Sequence, residues 1–143
     1  MGGEDRSDWH RQRERAIRAH AAAEEQRIAT ETAQARELVA GFVTAARERG
    51  LRTVPLVARA YSGRGRYRTG LRGWYLRPDG TLAVGEDGEF YLLLVPASPL
   101  AHLTGVTPRP HPPRLVIGEG ARDGERISLR ALLDARLAAG DRF

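Results

Sequence analysis

The sequence predicts an α+β fold: a long N-terminal α-helix, an antiparallel β-meander of four to five strands, and a short C-terminal helix. Three observations carry that reading. From Asp8 to Arg49 no residue breaks a helix. From Thr69 to Pro96 apolar and polar residues alternate around two turns of one kind, Arg77-Pro78-Asp79-Gly80 and Gly85-Glu86-Asp87-Gly88. From Leu129 to Ala139 leucines recur at helical spacing between a serine and a glycine.

The first helix has Ser7 as its expected N-cap and Gly50 as its C′ stop. Gly41 inside it costs about 1 kcal/mol relative to Ala. The span is about 60 Å long at 1.5 Å per residue, and Ala21 to Glu25 is where it would break if it were not continuous. Its last third carries a dense apolar stripe of Ala35, Leu38, Val39, Phe42, Val43 and Ala46, suited to lying on a sheet. Upstream the large apolar residues are only Trp9, Ile17 and Ile28. Ile17, Ile28 and Val39 are eleven apart, as are Ala21, Thr32 and Val43, a spacing that favours a nearly straight association over a leucine-zipper seam. The expected organisation is a projecting helical arm over residues 1–34 and a compact α+β domain over 35–143, in a single domain overall. Trp9, Ile17, Ala21, Ile28 and Thr32 are the candidate interface for self-association or a protein partner.

Leu51 to Tyr61 reads as a strand with Val54, Leu56, Ala58 and Ala60 on one side, and Pro55 points to an edge position because it lacks an N–H. Ser62 to Arg68 then reads as a Gly/Arg loop containing Tyr67. In the meander, Asp-Gly supplies the positive φ that closes each turn. One face carries Trp74, Leu76, Leu82, Val84, Phe90, Leu92 and Leu94 and is the expected core face. The other carries Tyr75, Arg77, Thr81, Ala83, Glu89 and Tyr91, with Leu93 and Val95 at its end. Tight pairing would set Tyr75, Ala83 and Tyr91 in a row across three strands, an aromatic platform unless another element, such as the C-terminal helix, covers it. A short helical turn over Ser98 to Gly105, a proline-rich connector over Thr107 to Pro113, a strand at Arg114 to Gly118 and a third Asp-Gly turn at Asp123-Gly124 follow. Ser128 caps the closing helix and Gly140 stops it.

At 143 residues the chain can bury a useful core. It has no apolar run of membrane-spanning length, and its first residues lack the pattern of a signal peptide. With no cysteine, disulfides and thiolate chemistry are excluded. A cytoplasmic protein is the expectation. The net charge is +5, and every basic residue is Arg. Asn is absent along with Lys, so part of the arginine content reflects GC-rich coding. Placement says more than the total. Leu51 to Arg77 holds seven Arg and no acid, whereas Pro78 to Leu100 holds four acids and no Arg.

That basic block supplies the candidate nucleic-acid contacts: Arg59, Arg64, Arg66, Tyr67, Arg68, Arg72, Tyr75 and Arg77, with Tyr91 beside them. Arg forks take phosphate bidentately, and tyrosine rings stack on bases. SGRGRYR opens no helix and matches neither a P-loop nor a dinucleotide fingerprint. No metal site is expected, because His10, His20, His102 and His111 have no ligand-spaced partners. No cofactor is expected either. One catalytic option is a small metal-independent ribonuclease built on Arg66, Arg68, Tyr75, Glu89 and Tyr91. The favoured expectation is non-catalytic: RNA or DNA held through phosphates, with a helical arm for homo-oligomer formation or partner docking. The alternative is a protein–protein adaptor or oligomerisation module without nucleic acid.

Overall fold

The computed structural model of the protein describes residues 2–118 and 126–143, so the expected Asp123-Gly124 turn lies outside the described residues. Helix α1 (Gly2–Glu48) is one unbroken helix, about 70 Å long at 1.5 Å per residue. It starts ahead of the expected Ser7 cap: Glu4 and Asp5 sit in its first turn, where the helix dipole favours acids. Residues from Gly3 to Thr30 are exposed throughout. The body begins at Glu31, whose Oε1 accepts from the Leu115 N–H at 3.1 Å and lies 3.8 Å from Arg114. From Ala35 onward the expected stripe is buried apart from the half-buried Leu38, and Val39, Phe42, Val43 and Ala46 dock on the sheet. No helix among the described residues is long and apolar enough to cross a membrane.

The sheet contains β1 (Val54–Ala60), β2 (Arg66–Tyr75), β3 (Leu82–Gly85), β4 (Phe90–Leu92) and β5 (Leu94–Val95), in the order β4-β3-β2-β1-β5. The first four form the expected antiparallel meander, but β5 runs parallel to β1, which makes the sheet mixed. β4 and β5 are one segment interrupted at Leu93. The Leu93 N–H donates to the Thr81 carbonyl at 2.8 Å, and the Leu93 carbonyl accepts from the Arg59 N–H at 2.8 Å. One residue therefore joins the two edges, and the sheet curls into a small closed barrel. Pro55 holds the expected edge position, although closure leaves β1 as a whole between two neighbours. It is tolerated because β5 reaches only Arg59 and Ala60, leaving the Pro55 end of β1 paired on one side.

Both expected turns form. Gly80 (φ 73°) and Gly88 (φ 82°) donate back to Arg77 and Gly85 at 3.0 and 2.9 Å. Asp79 Oδ1 accepts from the N–H and hydroxyl of Thr81, and Asp87 Oδ1 from the Glu89 N–H. The outer face of the barrel carries the main core: Trp74, Leu76, Leu82, Val84 and Phe90 pack against α1 and α3 (Leu129–Ala139). Phe42 meets Trp74 edge-on at 5.8 Å, and the indole donates to the Leu51 carbonyl. The interior is filled by Leu56, Ala83, Tyr91 and Leu93, with Leu71 and Tyr75. Ser128 caps α3 through its hydroxyl and Gly140 ends it, as expected. Helix α2 (Ala101–Thr104) is shorter than its sequence suggests, and Ser98 contributes its carbonyl rather than a side-chain cap. Two short strands, β6 (Val116–Ile117) and β7 (Ile127–Ser128), pair antiparallel beside α3. The sequence signalled only the first of them.

Candidate nucleic-acid interface

The β1–β2 hairpin builds the site. Arg66, Tyr67 and Arg68 lie in β2 rather than in the preceding loop, which is confined to a tight turn closed by Gly63→Ala60 and Ala60→Gly65 backbone bonds. Strand alternation then separates the side chains. Arg66 and Arg68 point outward and Tyr67 points inward. Pairing sets Arg59 opposite Arg66 and Val57 opposite Arg68, so the outward arginines of both strands collect on one patch that α1 and α3 do not cover.

This patch opens into a cavity of about 700 Å³ lined by Arg59, Arg66, Arg68, Arg77, Tyr75 and Phe143, among others. Tyr67 also reaches its wall. Among the described residues, none of the four guanidiniums lies within ion-pair distance of a carboxylate; the ion pairs found are Arg18–Glu14, Arg27–Glu24, Arg52–Asp141 and Arg114–Glu31. Arg68 donates to the Leu103 carbonyl at 3.3 Å. Arg77 Nε is buried without a hydrogen-bond partner. Asp79 lies close enough to Arg77 and Arg59 to feel their charge. Burial acts to raise its carboxyl pKa, but the two Thr81 hydrogen bonds, with Arg77 and Arg59 nearby, hold it below the usual value.

The remaining candidates are placed differently. Arg64 is exposed at the hairpin tip, and Arg72 donates to the Thr53 carbonyl at 3.0 Å; neither lines the cavity. The Tyr75–Ala83–Tyr91 row forms in the expected register. It is not an open platform, because it lies inside the barrel under Leu56 and Leu93 rather than beneath the C-terminal helix. Tyr91 is 3% exposed, and its hydroxyl donates to Asp87 Oδ2 at 2.5 Å. Burial, then that carboxylate, with Glu89 close by, pushes its phenol above the usual value. Tyr67 is likewise sealed: its hydroxyl accepts from the Ser98 N–H at 3.0 Å, and its ring meets His102. Tyr75 is half-buried, with its hydroxyl accepting from the Val57 N–H at 2.8 Å. Glu89 and Tyr91 line neither this cavity nor its neighbour, so the five-residue ribonuclease set does not converge.

The structure adds residues that sequence reading missed. A second cavity of about 560 Å³ adjoins the first, sharing Arg77, Pro78 and Phe143 with it, and includes Arg126 and Arg136. Arg136 is 6% exposed and donates to the carbonyls of Tyr75 and Gly140, both at 2.7 Å. Burial lowers its pKa, against the pull of Asp141. A signal for Arg136 was present: it lies three and four residues after Leu133 and Leu132, on the buried stripe of the helix. Phe143, beyond the Gly140 stop, had none. Among the described residues no group of His, Asp or Glu could hold a metal ion. On the arm, Trp9, Ile17 and Ile28 are 56%, 60% and 51% exposed, Ala21 is exposed and Thr32 half-buried. No family model, no curated protein and no solved structure matches this chain.

Proposed function

We propose that this protein is a non-catalytic binding module that holds nucleic acid, chiefly through phosphates, in the arginine-lined cavity of its β1–β2 face. One observation carries the reading. Arg59, Arg66, Arg68 and Arg77 surround a single cavity, and none has a carboxylate partner among the described residues. Like charges so gathered repel one another, and an anion with several oxygens relieves that repulsion while filling the guanidinium forks. The volume falls within the range of ligand sites. The test is fluorescence anisotropy with labelled RNA and DNA oligonucleotides. Binding should weaken as salt rises, and Arg66→Ala/Arg68→Ala should bind more weakly and with a shallower salt dependence.

A second element is assembly through the arm. Trp9, Ile17 and Ile28 are each more than half exposed along a helix that leaves the body at Glu31. A long helix with so little burial of its own gains most from a partner. The arm is proposed to pair with itself or to dock on another protein. Light scattering across a concentration series should show an oligomer that disappears when residues 8–30 are deleted. If that oligomer forms while oligonucleotides go unbound in low salt, the adaptor reading replaces the nucleic-acid one.

A further inference from the structure

We infer that the nucleic acid held here is single-stranded, with phosphates on the arginine cavity of the β1–β2 face and an unpaired base against Phe143 and the leucine and isoleucine walls of the cavity beside it. This rests on the binding reading above and specifies its ligand. The two cavities meet along a shared wall of Arg77, Pro78 and Phe143. On one side stand Arg59, Arg66 and Arg68. On the other, Leu76, Ile127, Leu132 and Ala135 form apolar walls, with Arg126 and Arg136 among them. A single strand has the same alternation, an anionic backbone carrying flat, largely apolar rings.

Phe143 stands at the junction. Its ring lies on the Arg136 guanidinium, 4.3 Å from centroid to carbon, which holds it in place, yet it remains 44% exposed. An aromatic face fixed where the two cavities meet is a stacking surface for a base of any identity. A duplex cannot use this arrangement. Its bases are stacked inside the helix, so it offers a concave site only phosphates and groove edges.

The test compares labelled single-stranded RNA, single-stranded DNA and the matching duplexes on the full chain by anisotropy at low salt. Both single strands should bind at least about tenfold more tightly than duplex. Phe143→Ala should weaken single-strand binding about tenfold without changing its salt dependence, whereas Phe143→Trp should preserve it. Duplex binding equal to or tighter than single-strand binding in the unmodified protein would overturn the inference. So would a Phe143→Ala variant that binds single strands like the parent. In either case, salt-dependent binding that Arg66→Ala/Arg68→Ala weakens and makes less salt-sensitive would leave the phosphate reading standing. If no oligonucleotide binds, both fall together.

Discussion

Gly73 and Tyr91 show how little slack the barrel leaves at single positions. Gly73 sits opposite Gly85 where two strands approach so closely that a Cβ would overlap the Val84 carbonyl oxygen. Gly73→Ala should therefore cost more than about 2 kcal/mol, since the clash is with backbone rather than a movable side chain; urea denaturation measures it. Tyr91→Phe should cost about 1–2 kcal/mol by removing the bond to Asp87. That variant also has a pH signature. The folded phenol titrates above its usual value of 10.0, so below pH 10 both states keep the proton and the contribution is complete. Above pH 10 the unfolded chain ionises first and stability falls. Denaturation midpoints of the parent and Tyr91→Phe should therefore converge as pH rises past 10.

At the scale of elements, helix α1 serves two environments, and the division should be visible in stability. Phe42, packed edge-on against Trp74, belongs to the core, and Phe42→Ala should cost about 3–5 kcal/mol. Removing residues 2–30 should instead leave the melting temperature of the body nearly unchanged, because contacts with the body start at Glu31. The elements themselves were largely legible in the sequence. Asp79-Gly80 and Asp87-Gly88 determine their hairpins locally, Ser128 and Gly140 delimit α3, and the stripe from Ala35 to Ala46 marks where α1 docks. Barrel closure was not legible. It depends on Leu93 bonding to Arg59 and Thr81 at once, and nothing in the alternation around Leu93 distinguishes a strand that pairs twice from one that pairs once. Without that contact the expected cover for the aromatic row is the C-terminal helix, whereas Leu56 and Leu93 close over it inside the barrel.

Across the whole molecule, charge and shape divide the barrel between them. Helices α1 and α3 cover one part of its outer surface with apolar contacts, and the β1–β2 face is left to arginine. The composition of the basic block was plain from the sequence, and strand alternation explains why Arg66 and Arg68 meet Arg59 while Tyr67 turns inward. The contributions of Arg136 and Phe143 come from the other end of the chain and depend on how α3 folds against the turn at Pro78. The central claim is that the four clustered guanidiniums bind phosphate. It is tested most directly by single-stranded oligonucleotide affinity measured across a salt series, for the parent and for Arg59→Ala/Arg66→Ala/Arg68→Ala. Log affinity should fall linearly with log salt, with a slope of about −3 if all four cations engage phosphates at about 0.7 each, and the variant should flatten that slope to about −1. A slope near zero in the parent, or a variant that binds with the parent's slope, would contradict the claim.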